Sequence, residues 1–204
     1  MVPSYKLTYF ATAGYAEPIR YLLSYGNIEF EDFRFKREEW PQLKEKMPFG
    51  HVPVLEHNGK KGCQSVAIAR YVAKQVGLMG NDDWEDLEID AIVDSIKENS
   101  TKLLPIRFET DEEKRKALRE TAVKETLPYS LKPLEAFAQK NNGYLAVGRL
   151  TWADLYFVSL SEGINRLAGF DIMKDYPNLH ALINKVLEIP SIRKWIETRP
   201  KIEP

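Results

Sequence analysis

The 204-residue chain has one cysteine, Cys63. No internal disulfide can form, so a disulfide-stapled scaffold is excluded. Histidine is scarce as well: His51, His57 and His180, with that cysteine, match no zinc spacing, and no metal is expected. No apolar run reaches the ~18 residues of a membrane span, so no membrane partner is expected. The opening MVPSYKLTYF lacks the apolar core of a secretory signal, which leads us to expect a cytoplasmic protein. An excess of one charge is also missing. Lys and Arg number 29 against 30 Asp and Glu, which argues against a nucleic-acid partner. There is no internal repeat and no low-complexity stretch. Hydrophobic residues make up 44% and charged residues 29%, so the chain can bury a core and is not disordered.

The composition divides near residue 80. The first 80 residues hold 11 basic and 8 acidic residues; the remainder hold 18 and 22. The first part alternates strand and helix signals. Tyr5 to Phe10 is rich in β-formers. Ala16 to Tyr25 has helical spacing, with Pro18 tolerated in its first turn and Gly26 as its stop. Glu29 to Phe35 reads as a strand and Glu38 to Lys46 as a short helix. Val52 to Glu56 is extended, Asn58-Gly59 marks a hairpin turn, and Gly62 to Gln64 returns. Ser65 is the expected N-cap of a helix over 66–75. Strands joined through a helix run parallel with a right-handed crossover, whereas the hairpin is antiparallel. The expected fold is therefore α/β: a thioredoxin-like N-terminal domain with a mixed four-stranded sheet (1–80), then an all-α C-terminal domain (81–204). Residues 80–85 are the expected linker.

In the second part Leu87, Ile89, Ile92, Val93 and Ile96 open a long helix that Pro105 kinks or ends. Another runs from Asp111 to about Lys140, bent or broken at Pro128 and Pro133. Thr151-Trp152-Ala153-Asp154 fits a capping box, which makes Asp154 a structural residue. Two more helices cover Pro177 to Glu188 and Ser191 to Thr198. The acidic run Asp82 to Asp86 reads as a solvated helix start.

Four features of the first part carry chemistry. Tyr9 ends the first strand, where open α/β sheets bind ligands, and a phenol there can donate to a developing anion. Val52-Pro53, if cis, would turn the Val52 amide and carbonyl toward an added extended peptide. Gln64-Ser65 begins a helix whose free amides and dipole suit a carboxylate. Trp40 and Lys44, four apart on one helix, can hold a second carboxylate. Each has an ordinary alternative: a core tyrosine, a trans loop proline, plain capping, a surface pair. Together they describe a groove for an extended peptide with two carboxylates and a nucleophile near Tyr9.

The runs YKLTYF, AEPIR, W-x-x-x-K, MPFG-x-VPVLE, QSVAIARY, LTWADLYF and IPSIRKWIETRP, in this order along essentially the whole chain, resemble a cytosolic glutathione transferase. The resemblance is to the sigma class, which includes haematopoietic prostaglandin D synthase and arthropod enzymes. It implies that Tyr9 stabilises the glutathione thiolate. Gln64 and Ser65 would hold the γ-glutamyl group, Val52 at Pro53 the cysteinyl backbone, and Trp40 with Lys44 the glycyl carboxylate. Glu98 would reach the glutathione amine of a neighbouring subunit. Phe10, Gly14, Tyr15, Leu104 and Tyr156 would line the electrophile pocket, and Phe49 would contribute to a homodimer. Glutathione is then a co-substrate, with no cofactor needed, and small hydrophobic electrophiles are its partners. A free thiol titrates near ~8.5, and lowering that by roughly two units makes ionisation ~2.7 kcal/mol easier. Conjugation is implied, with peroxidase or prostaglandin isomerase activity beside it; the rival is a non-catalytic, crystallin-like ligand carrier. The sequence departs from the class at two places. Ala13-Gly14-Tyr15 has no basic residue before Arg20, so Tyr15 is left as a donor or wall. Lys97 interrupts the acidic stretch Asp94 to Glu98, against a cation site. Cys63, beside Gln64, reads as a quiet cysteine.

Overall fold

A computed structural model describes residues 4–200. They form two compact units, one of residues 4–78 with 188–200 and one of Met79–Leu187. Residues from Glu188 onward thus group with the first unit and not with the helical one.

The first unit is built on a sheet of order β2-β1-β3-β4. Its strands are β1 (Tyr5–Phe10), β2 (Phe30–Phe35), β3 (Val54–His57) and β4 (Lys60–Cys63). β1 runs parallel to β2 and antiparallel to β3, and β3 pairs antiparallel with β4, as helix and hairpin connections require. Helix α1 (Glu17–Tyr25) crosses from β1 to β2, and α3 (Ser65–Gln75) follows β4. Ile19, Leu22 and Leu23 of α1 and Ile68, Ala69 and Val72 of α3 are buried in this unit with Leu7 of β1. Gly26 is the C-cap that ends α1, as expected, but without the left-handed conformation. Its φ is −76, and the left-handed residue is Asn27 at φ 51. Glycine is required there because a Cβ would lie 2.3 Å from Val76 Cγ1. Between β2 and β3 lie a 3₁₀ turn (Arg37–Glu39), the single helical turn α2 (Trp40–Lys44) and a second 3₁₀ turn (Pro48–Gly50).

The second unit is helical. Its first helix α4 (Asp83–Lys102) starts inside the expected linker, because Asp82 accepts hydrogen bonds from the amides of Trp84 and Glu85, both at 2.9 Å. Next come α5 (Leu104–Phe108), α6 (Glu112–Thr121) and α7 (Leu127–Lys140). Pro105 sits in the first turn of α5 and Pro128 in that of α7, where the ring costs no bond. The break expected at Pro128 in the 111–140 segment falls just before it, as a π turn over Ala122–Thr126, while Pro133 breaks nothing and is carried inside α7. Helix α8 (Trp152–Ala168) is the buried axis of this unit. Its capping box is formed: Asp154 accepts from the Thr151 amide at 2.7 Å and from the Leu145 amide at 2.8 Å. A short 3₁₀ turn and α9 (Pro177–Leu187) complete the unit, and α10 (Pro190–Thr198) returns to the first.

Candidate active site

Thr8, Val54 and Cys63 lie in one row across β1, β3 and β4. Just past that row every strand meets a functional residue. Tyr9 and Phe10 end β1, Phe35 ends β2 on the way to Trp40, Val52-Pro53 precede β3, and Gln64-Ser65 follow β4. The sheet topology therefore brings all four sequence features to one end. Strands ~4.8 Å apart place β2 and β4 ~14 Å from each other. An extended tripeptide covers about 10 Å of backbone, and its end groups supply the rest.

Tyr9 is 9% exposed. The Tyr15 amide donates to its phenol oxygen at 3.3 Å. Gly14 makes that approach geometrically feasible: its φ is +44, and a Cβ there would stand 2.7 Å from the Tyr9 hydroxyl. Trp40 is stacked on Phe35, with centroids 5.7 Å apart, and edge-on to Phe10 at 5.5 Å. The indole is thus fixed by both parallel strands. Lys44 is exposed, and its stem runs along Gly50, where a Cβ would meet Cε at 3.4 Å. That places Lys44 beside the turn feeding Val52.

The Val52-Pro53 bond is cis, the isomer the peptide groove needs. Val52 stands before the first paired residue of β3, so its amide and carbonyl are not committed to the ladder. Ser65 is the first residue of α3 and not its cap, correcting the expectation. The N-cap is Gln64, exposed, at φ 72 and ψ 111, and its side chain makes no capping bond. The first-turn amides of α3 and the Ser65 hydroxyl lie at this corner, a set of donors whose chemistry suits a carboxylate.

The other candidates divide by unit. Phe10, Gly14 and Tyr15 are half-buried at the β1 end. Glu98 and Leu104 belong to the helical unit; Glu98 is exposed and pairs with Lys102 at 2.7 Å, and Leu104 is half-buried. Tyr156 has no exposed surface and packs edge-on to Trp152 at 6.1 Å. It is a core side chain of α8 in this structure. Cys63 is a free, half-exposed thiol.

The sequence did not announce a buried charge network behind the Tyr9 loop. The Arg20 guanidinium, fully buried, donates to Glu17 at 3.0 Å and to Asp32 at 2.9 Å. Asp32 also accepts from Arg34 at 2.7 Å, and Glu17 from Trp195 at 2.9 Å and Arg199 at 2.8 Å. Burial raises the Glu17 pKa, but Arg20, Trp195 and Arg199 outweigh it, and the net direction is down. The one legible signal was the three-residue spacing of Glu17 and Arg20 on α1.

Models of the glutathione S-transferase N-terminal domain and C-terminal domain match residues 5–74 and 97–199. The chain belongs to the glutathione S-transferase family. It is 43% identical to a glutathione S-transferase of Anopheles gambiae over 202 residues, covering 99% of this chain and 100% of the relative. It is 36% identical to haematopoietic prostaglandin D synthase of Rattus norvegicus over 200 residues, 98% of each chain. A solved prostaglandin synthase D of Nilaparvata lugens superposes with a TM-score of 0.92 at 45% identity, covering 98% of this chain and all of that one. The first unit is the transferase's thioredoxin-like domain, and the enzyme conjugates glutathione.

Proposed function

We propose that the chain is a sigma-type transferase acting in the cytoplasm as a homodimer, with Tyr9 as its catalytic residue. The observation that carries this reading is the convergence of Tyr9, Val52-Pro53, Gln64-Ser65 and Trp40-Lys44 at one end of the sheet. Glutathione lies across the strand ends as co-substrate. Its γ-glutamyl carboxylate meets the α3 N-terminus with Gln64 and Ser65, its cysteinyl backbone pairs with Val52, and its glycyl carboxylate meets Trp40 and Lys44. The sulfur then sits at the Tyr9 phenol, whose O–H donates to it. A donor aimed at the thiolate stabilises the charged form more than the thiol, which lowers the thiol pKa. The thiolate attacks an electrophilic carbon: a C–S bond forms and, in an aryl halide, halide leaves with its electron pair. Tyr9→Phe tests this. Loss of conjugation with glutathione binding retained supports it, and unchanged turnover removes Tyr9 from the mechanism.

Prostaglandin isomerisation is the second activity we propose, favoured by the likeness to the Nilaparvata lugens structure. It needs the same thiolate: attack on one endoperoxide oxygen forms an S–O bond as the O–O bond breaks and the other oxygen takes up a proton. Loss of the proton on the carbon bearing the attacked oxygen then forms the ketone and expels the thiolate, so glutathione is regenerated. A panel of an aryl halide, a lipid aldehyde, a lipid hydroperoxide and a prostaglandin endoperoxide separates these chemistries. Dimerisation is supported by Phe49, which is 82% exposed at φ 53. An apolar ring held so far into solvent gains from burial against a second copy. Helices α4 and α7 offer a matching apolar cleft of about 690 Å³ lined by Ile92, Ile96, Leu134 and Phe137. In that dimer Glu98, on the same helix α4, serves the partner's glutathione amine.

A further inference from the structure

We propose that Arg20 is the positioning residue for the Tyr9 phenol. Tyr9 is followed by a loop, Ala11 to Ala13, that delivers the Tyr15 amide to the phenol oxygen. The same nitrogen of Arg20, Nη1, donates to the Thr12 carbonyl at 3.0 Å and to the Ala13 carbonyl at 3.3 Å. Those two carbonyls are thereby drawn inward under α1. The next residue, Gly14, takes a positive φ, and the Tyr15 amide follows, facing Tyr9. Arg20 is itself locked on two sides, by Glu17 from its own helix and by Asp32 from β2. Its guanidinium is 0% exposed and has no freedom to swing away.

The chemistry follows from a relay of donors. A phenol whose oxygen accepts an N–H bond is a stronger donor through its own O–H, because bonds in a chain polarise one another. The relay runs from the Tyr15 amide to the Tyr9 oxygen and on to the sulfur. Arg20 touches neither phenol nor sulfur; it fixes the loop that supplies the first donor. Charge adds to geometry. Arg34, the cross-strand neighbour of Tyr9, shares Asp32 with Arg20. Three guanidiniums (Arg20, Arg34, Arg199) stand against two carboxylates (Glu17, Asp32) in this network, and the surplus positive charge favours an anion nearby.

This inference rests on Tyr9 being the thiolate donor, so the test carries Tyr9→Phe as a separate arm. The thiol pKa of bound glutathione is measured from thiolate absorbance in wild type, Arg20→Lys, Glu17→Gln and Tyr9→Phe. Lysine keeps the charge but loses the fork that reaches Asp32 and the loop together. The expected result for Arg20→Lys is a thiol pKa raised by about one unit and kcat/KM for an aryl halide lowered about tenfold, with KM for glutathione within about twofold. Glu17→Gln, which slackens one of the two locks on Arg20 without changing shape, gives a smaller rise in the same direction and covers the case in which Arg20→Lys does not fold. A folded Arg20→Lys, or failing that Glu17→Gln, with the wild-type thiol pKa and only a lower Tm overturns the proposal and leaves Arg20 a structural residue. A Tyr9→Phe variant with the wild-type thiol pKa overturns instead the reading on which it rests.

Discussion

At the level of single residues the proposed function makes the Tyr9 phenol the donor, and Gly14 leaves the space that the phenol occupies. Tyr9→Phe removes one hydrogen bond to a developing charge, for which a loss of ~100-fold in kcat/KM is expected. Steady-state kinetics with an aryl halide measures it, while isothermal titration with glutathione should show near-wild-type affinity. Gly14→Ala should fail differently. Its Cβ would press the hydroxyl at 2.7 Å and occupy φ +44, so both activity and stability fall, the latter by ~1–3 kcal/mol. Urea denaturation of that variant checks the second figure. The place of Tyr9 near the end of β1 was legible in the sequence, because it closes a β-rich run just before a break. The Gly14 contact was not, because closeness in space between residues five apart depends on the loop path. Arg20 and Asp32 were equally hidden: their pairing joins a helix to a strand, and no local period reports it.

Elements explain why the site residues meet. β1, β3 and β4 fix a common row, and each turn or helix start beyond it presents its own group. The hairpin and the parallel crossover were readable from turn and connection chemistry; the cis isomer at Val52-Pro53 was left open against trans, because nothing local to an X-Pro bond selects it. The cap of α3 was misread. Serine is the better N-cap by propensity, yet Gln64 takes the cap position at positive φ and Ser65 becomes the first helical residue. Ser65→Ala should therefore leave α3 intact, and weaken glutathione binding by ~1.5–3 kcal/mol, the worth of a hydrogen bond to a charged group. Titration calorimetry against Tm separates the two effects. Pro128 marked the division of the 111–140 segment to within a few residues, because it suits the first turn of a new helix; the π turn that makes the break has no residue signature, and Pro133 makes none. Helix α10 makes the pH-dependent join. Glu17 has a lowered pKa in the folded state, so its contribution is full above the ordinary carboxylate value of 4.5 and is lost as pH falls through the folded value. Acid unfolding followed by Trp195 fluorescence should show wild type losing stability below pH ~4.5 more steeply than Glu17→Gln.

At the scale of the whole molecule, two compact units carry the family's two domains. The division near residue 80 was visible as a change in charge and periodicity. The return of α10 to the first unit was not, because it depends on Trp195 and Arg199 reaching Glu17 across more than 170 positions of sequence. Assembly belongs to this scale as well. In the proposed homodimer Phe49→Ser removes an exposed aromatic anchor, and the dimer Kd should rise at least about tenfold, as truncating an interface hot spot does. Sedimentation equilibrium reads that shift, and an unchanged Kd would show that the second copy docks elsewhere. A catalytic reading and a ligand-carrier reading of the same fold part at the sulfur. A carrier needs only the grip on both ends of the tripeptide, whereas an enzyme must also ionise its thiol.

That difference is directly measurable by titrating the ultraviolet thiolate band of glutathione bound to wild type and to Tyr9→Phe. The account predicts a bound thiol pKa about two units below the free value of ~8.5 in wild type, most of it lost in the variant. A bound thiol that titrates like free glutathione in wild type, or that stays depressed without the phenol, would contradict it.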